Sequence, residues 1–238
     1  MVEQRKAEPR QPAARSGLRD LSITLAVALL GCVGALGGGD PTGFLIWIAI
    51  FAPAGGFAVG ALGVRPWLFA PAAPGAWMVT LALLDSASER DLPTPLWSAL
   101  AWTGLFVLGL GLGRAGSSST RGPGAESEAR GRAFGGAGVL LLVAGALVAL
   151  PGKGGAVAQA WPPSVASALL ELSPATLVVE SAGVDWMRHR AIYEPVGTDR
   201  FQRLPYRGEL AGPLALVVGC LVAFGAGFLT RSAERTEE

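Results

Sequence analysis

Six stretches of this chain, each about 18–20 residues long, hold no Asp, Glu, Lys, Arg or His: Leu21–Gly38, Phe44–Gly63, Trp67–Leu84, Leu96–Gly113, Ala133–Leu150 and Pro213–Thr230. A helix rises about 1.5 Å per residue, so each run matches the roughly 30 Å of hydrocarbon in a bilayer. Six such runs in 238 residues cannot all be hidden in one water-facing core. Only 16% of the residues are charged, against about a quarter in an ordinary soluble domain. The fold class expected is an all-α integral membrane protein with six transmembrane helices. Its expected residence is the plasma (inner) membrane, with the lipid bilayer as its first partner.

The spacing of the runs divides the chain. Residues 1–20 are polar and Pro-containing and read as a disordered tail; 21–150 hold five spans; 151–212 form a long loop; 213–230 are the sixth span; 231–238 are a charged tail. Gly39–Gly43, Val64–Pro66 and Asp85–Pro95 are short links that join neighbours as antiparallel hairpins. Arg114–Arg132 is Ser/Gly-rich and reads as flexible. With the N-terminus inside, the cytoplasmic tails and links carry twelve Lys/Arg, whereas the short outer links carry only Arg90. Both termini are therefore expected in the cytoplasm. Leu29-Leu30-Gly31-Cys32 loosely matches a lipoprotein cleavage site, but the run stays apolar past Cys32 and five more follow, so the segment is read as retained.

Several chemistries lack their residues. A net charge of +1 gives no basic field for nucleic acid. The two cysteines, Cys32 and Cys220, have no metal or disulfide spacing. Asp185, Arg188, His189 and Arg190 cluster, yet a lone histidine offers no second zinc ligand and no nucleophile motif stands near it. Gly152-Lys153-Gly154-Gly155 lacks the Ser/Thr and spacing of a phosphate loop. No intramembrane carboxylate or histidine serves a coupling ion. The expectation is a protein that is not an enzyme and carries no cofactor. Pro71 and Pro74 in the third span predict a bend.

Two features invite function. In the last span Ala211, Ala215, Gly219, Ala223 and Gly227 recur every four residues, a ridge that lets another helix approach closely. Ala52-Gly56-Gly60, Gly34-xxx-Gly38 and Gly109-xxx-Gly113 are shorter ridges. They pack either within the chain or against a partner subunit in a homo- or heterodimer. In the long loop, Trp161-Pro162-Pro163 is followed by Ser164 capping SVASALLEL, and Ser173-Pro174 starts a second short helix that ends at Gly183. Both are too short to span, so the pair is expected to lie in, or dip into, the outer interface.

WPPSVASALLELSPATLVVESAG, Trp161–Gly183, followed by the final helix to Thr230, resembles the membrane subunit of ABC-2-type exporters. That resemblance implies short re-entrant helices on the outer side, a dimer, and an ATPase subunit acting in trans. The residues that would form the outer gate are Ser164, Leu169, Ser173, Pro174, Glu180 and Gly183. A second reading is a non-transporting scaffold or anchor that uses the small-residue ridges as docking faces. It rests on the three-residue link Val64-Arg65-Pro66, which leaves no cytoplasmic segment there to couple to an ATPase.

Overall fold

A computed structural model describes residues 13–32, 41–64, 93–117, 125–152, 168, 172–182 and 208–236. Among them all regular structure is helical: α1 (Ala13–Cys32), α2 (Pro41–Ala61), α3 (Pro93–Ser117), α4 (Ala125–Gly152), α5 (Pro174–Ser181) and α6 (Gly208–Thr236). Two stretches, Leu96–Gly116 in α3 and Ser127–Leu147 in α4, are long and apolar enough to cross a membrane. Leu45–Ala61 in α2 and Gly212–Ala226 in α6 are shorter apolar stretches. The expected third span, Trp67–Leu84, with Pro71 and Pro74, lies outside the described residues, as does the cluster Asp185–Arg190.

The helices outrun the uncharged stretches at several ends. Ala13–Asp20, read as disordered tail, form the first two turns of α1. Arg114–Ser117 and Ala125–Arg132, read as flexible link, complete α3 and begin α4. Gly208–Gly212 and Arg231–Thr236, read as loop and tail, belong to α6. The reason is common to all three. Absence of charge marks where lipid could lie, whereas Ala, Arg, Glu and Leu favour a helix in water as well. The far end of α2 follows its own chemistry. Gly63 takes φ +65°, Gly63 N–H donates to Gly60 O at 3.1 Å, and Val64 N–H donates to Val59 O at 3.3 Å. This pair of bonds is a Schellman turn, and it buries Val64 beneath the helix it ends.

α3 is the hub, in its most extensive contacts with α6 on one side and α2 on the other. Both contacts are backbone-close. A Cβ at Gly56 or Gly60 would strike the carbonyl of Phe106 or Leu110, and one at Gly109 or Gly113 would strike the carbonyl of Pro53 or Phe57. On the other side a Cβ at Gly104 would meet the backbone of Ala215 and Leu216, and one at Gly111 the backbone of Ala223. In both pairings residue numbers rise together, so α2, α3 and α6 run parallel. α1 turns back on α2, with Trp47 Nε1 donating to Leu30 O at 3.4 Å. α4 also runs opposite to α2. Arg132, in its first turns, donates through Nη1 to Gly116 O at the end of α3, at 3.0 Å, and Gly136 lies against the ring of Phe57.

The large side chains of the interior collect in one cluster. Trp102 stacks on Phe106 with centroids 5.6 Å apart, and its Nε1 donates to Ile48 O at 2.8 Å. Pro53 has no N–H for the carbonyl of Ala49, which loosens that turn of α2 beside the accepting carbonyl. Many other large apolar side chains face outward. In α6 they are Leu210, Leu214, Val217, Leu221, Phe224 and Phe228, spaced alternately four and three apart, with Phe224 79% exposed. Leu18, Leu21, Leu25 and Leu29 do the same on α1, and Phe134, Val139 and Leu142 on α4.

Candidate functional site

α5 is built by its first two residues. Proline at N1 fixes φ near the helical value and forces the preceding residue to be extended; Ser173 accordingly sits at φ −71°, ψ 128°. The Ser173 hydroxyl does not cap the helix it precedes. No side-chain cap bond forms, and the backbone carbonyl of Ser173 accepts from Leu177 N–H at 3.3 Å instead. Ser173 Oγ and Thr176 Oγ1 are both buried without a protein partner. At the other end Ser181 Oγ folds back to Leu177 O at 2.6 Å, which satisfies a buried hydroxyl inside its own helix.

Of the two placements expected for this helix, on the interface or dipping inward, the packing is that of a helix enclosed by the bundle. Ala175, Thr176, Val178, Val179 and Ser181 are buried, and α5 packs against α2, α3 and α6. Ser98 Oγ donates to Val178 O at 3.0 Å, a buried bond between residues 80 apart in sequence. Ser98 stands two residues into the apolar stretch of α3 that begins at Leu96, which is about 3 Å along the axis. Ala175 and Val178 join the same cluster as Ile48, Trp102 and Phe106. α5 therefore packs within the bundle beside the start of the apolar stretch of α3. Its polar backbone end is tolerated there because protein surrounds it.

Of the expected gate, Pro174 and Glu180 are in this helix and Ser173 is its N-cap, with Glu180 half-buried on the last turn. Ser164, Leu169 and Gly183 lie outside the described residues, and of the first short helix Ala168 and Leu172 are described, the Ala168 carbonyl accepting from Leu172 N–H at 3.1 Å. The ridge residues Ala215, Gly219 and Ala223 meet α3: Gly219 lies over the carbonyl of Gly104, which itself faces Ala215, and Ala223 lies on Gly111. Gly227 is in the same helix. Sequence reasoning found the ridge but missed its counterpart, Gly104 and Gly111. These are seven residues apart, two helical turns, and the four-residue spacing rule does not pick them out.

Charge is divided along the bundle. Arg114, Arg130, Arg132, Arg231 and Arg235 lie toward the end where α4 starts and α2, α3 and α6 finish. α5 lies at the other end. No group of three or more His, Cys, Asp or Glu gathers among the described residues in a way that could hold a metal ion. No family model, no curated protein and no solved structure matches the chain.

Proposed function

We propose that the chain is a six-span protein of the plasma membrane with both termini in the cytoplasm, and that it is the membrane subunit of an ABC-type exporter driven by a separate ATPase. The observation that carries the membrane step is the inverted distribution of side-chain size. Glycine and alanine fill the closest helix contacts, while leucine and phenylalanine cover the outward faces of α1, α4 and α6. In water this arrangement would leave an unshielded apolar belt; in lipid it is the expected one, because tight packing rather than apolar burial holds such helices together. Two features support the span count. Parallel α2 and α3 need the chain between Ala61 and Pro93 to return to the opposite end, and the Trp67–Leu84 run falls within that interval. The arginines also gather at one end, as the twelve-to-one bias of the links requires of a cytoplasmic face.

The exporter step rests on α5. A short helix entering the apolar layer from the end away from the arginines, just before the last helix, is what the resemblance to ABC-2-type subunits implies. The competing reading, a scaffold that moves nothing, is favoured by one specific feature: only Val64-Arg65-Pro66 separates the second and third runs, so no coupling segment stands there. Purification of the tagged full chain from native membranes distinguishes them. The exporter reading expects an ATPase to co-purify and expects deletion of residues 164–183 to abolish export without loss of membrane insertion. Recovery of the chain with the same partners and abundance after the ATPase gene is removed would support the scaffold. A chain that is monodisperse in buffer without detergent would remove both.

A further inference from the structure

At the arginine-rich end, the last turns of α2 and α3 and the first turns of α4 enclose a cleft of about 300 Å³. This is the lower end of the range for small-molecule pockets, enough for a phosphodiester and a segment of acyl chain but not a whole lipid. Phe57, Ala61 and Ala129 form apolar walls, while Gly113 and Gly136 pack closely against the carbonyl and the ring of Phe57. The one polar side chain on the lining is Arg132, half-buried and held in place by its Nη1 bond to Gly116 O at 3.0 Å. Arg114 and Arg130 stand next to lining positions, and the exposed Glu128 lies one turn before Arg132 on α4, so the surrounding charge is net positive.

We propose that this cleft binds an anionic phospholipid from the cytoplasmic leaflet, its phosphate on the Arg132 guanidinium and the start of an acyl chain along the Phe57 and Ala61 walls. The proposal rests on the membrane reading above. Apolar walls beside one fixed cation suit an amphiphile rather than a soluble anion, which would gain nothing from Phe57 and Ala61. A guanidinium presents a planar fork that matches phosphate oxygens, and basic pockets between helices at the cytoplasmic side bind anionic headgroups. Arg132 directly precedes the uncharged run Ala133–Leu150, so the membrane reading sets that cation near headgroup depth.

The test uses the full chain in detergent micelles doped with phosphatidylglycerol or phosphatidylcholine, with retained lipid counted by native mass spectrometry. The wild type is expected to retain phosphatidylglycerol preferentially. Arg132→Gln should reduce that preference about fivefold, the ratio expected for one cation near an anionic surface, and Arg132→Lys should restore most of it. Gly136→Leu, whose side chain must enter the cleft against the Phe57 ring, should lower retention of both lipids; helical circular dichroism and a single elution peak show that each variant folds. Equal retention of the two lipids by the wild type, or an Arg132→Gln variant with unchanged preference, overturns the proposal. Displacement of the lipid by glycerol phosphate alone would overturn the lipid assignment in favour of a soluble phosphate. Carbonate extraction of native membranes keeps the two claims apart. Release of the chain would defeat the membrane reading, whereas a retained chain without anionic preference defeats only this inference.

Discussion

At Gly60 the bare Cα of α2 lies so close to Leu110 that a methyl group would overlap its carbonyl. Contacts this short give up side-chain volume in exchange for backbone proximity, where dispersion and weak Cα–H···O bonds accumulate. Gly60→Ala is expected to destabilise the bundle by about 1–3 kcal/mol, the usual cost of overpacking. Gly145→Ala on α4 meets nothing within 4 Å and should be neutral or gain up to about 1 kcal/mol in helix propensity. Thermal unfolding of the two variants in detergent decides the matter, and identical midpoints would refute the close contact. Trp102 makes a second residue-scale case. Its Nε1 bond to Ile48 O is buried, so Trp102→Phe loses about 0.5–1.5 kcal/mol from the bond together with the packing of the missing ring. The same unfolding assay reads it, and a midpoint equal to the wild type would count against the bond.

α5 is only eight residues long and packs through the Ser98–Val178 hydrogen bond and small apolar side chains, so its burial is open to a direct test. A cysteine at Val179, in a chain whose Cys32 and Cys220 are replaced by alanine, should react slowly with a membrane-impermeant maleimide, because that position is fully buried. Adding Val178→Asp should speed labelling at least tenfold, since an unpaired carboxylate cannot remain among Ile48, Trp102 and Phe106. Fast labelling before that substitution would contradict the packing of α5. The element scale also shows how far the sequence could be read. The start of α5 at Ser173-Pro174 was legible because proline dictates the backbone of its neighbour. Its burial was not, because Val178 and Val179 would suit a lipid-facing helix equally well and Ser98, its anchor, is 80 residues away. The small-residue ridge of α6 was legible for its regular spacing, but its partner was not. Short links suggest that consecutive helices pair, whereas α3 packs most extensively on α6, because Gly104 and Gly111 open it there. Helix ends were misread where charged residues continue a helix beyond the apolar layer.

For the whole molecule, direction is the property with the widest consequence. α2, α3 and α6 run in parallel and α4 runs against them, so the ends of the described helices sort into two sets. One set comprises Val64, Ser117, Ala125 and Thr236; the other comprises Cys32, Pro41, Pro93, Gly152 and Gly208. If lipid surrounds the bundle, the first set shares one aqueous compartment and the second set shares the other. Arg114, Arg130, Arg132, Arg231 and Arg235 belong to the first, so the proposed reading puts that set in the cytoplasm. The expectation can be read from alkaline phosphatase and green fluorescent protein fused in turn after Ser117, Gly152 and Thr236. Fusions after Ser117 and Thr236 should fluoresce and lack phosphatase activity, and the fusion after Gly152 should do the reverse. Moving the arginines supplies a harder version of the same test. Replacing Arg114, Arg130 and Arg132 by glutamine while adding lysines next to Gly152 weakens the charge bias without touching the glycine contacts that set helix direction. If packing and charge specify the same orientation, such a chain should insert poorly or in mixed topology rather than cleanly inverted. A fully inverted and stable product would show that charge alone chose the orientation. A Ser117 fusion on the opposite side from the Thr236 fusion in the unaltered chain would break the parallel arrangement of α3 and α6 itself.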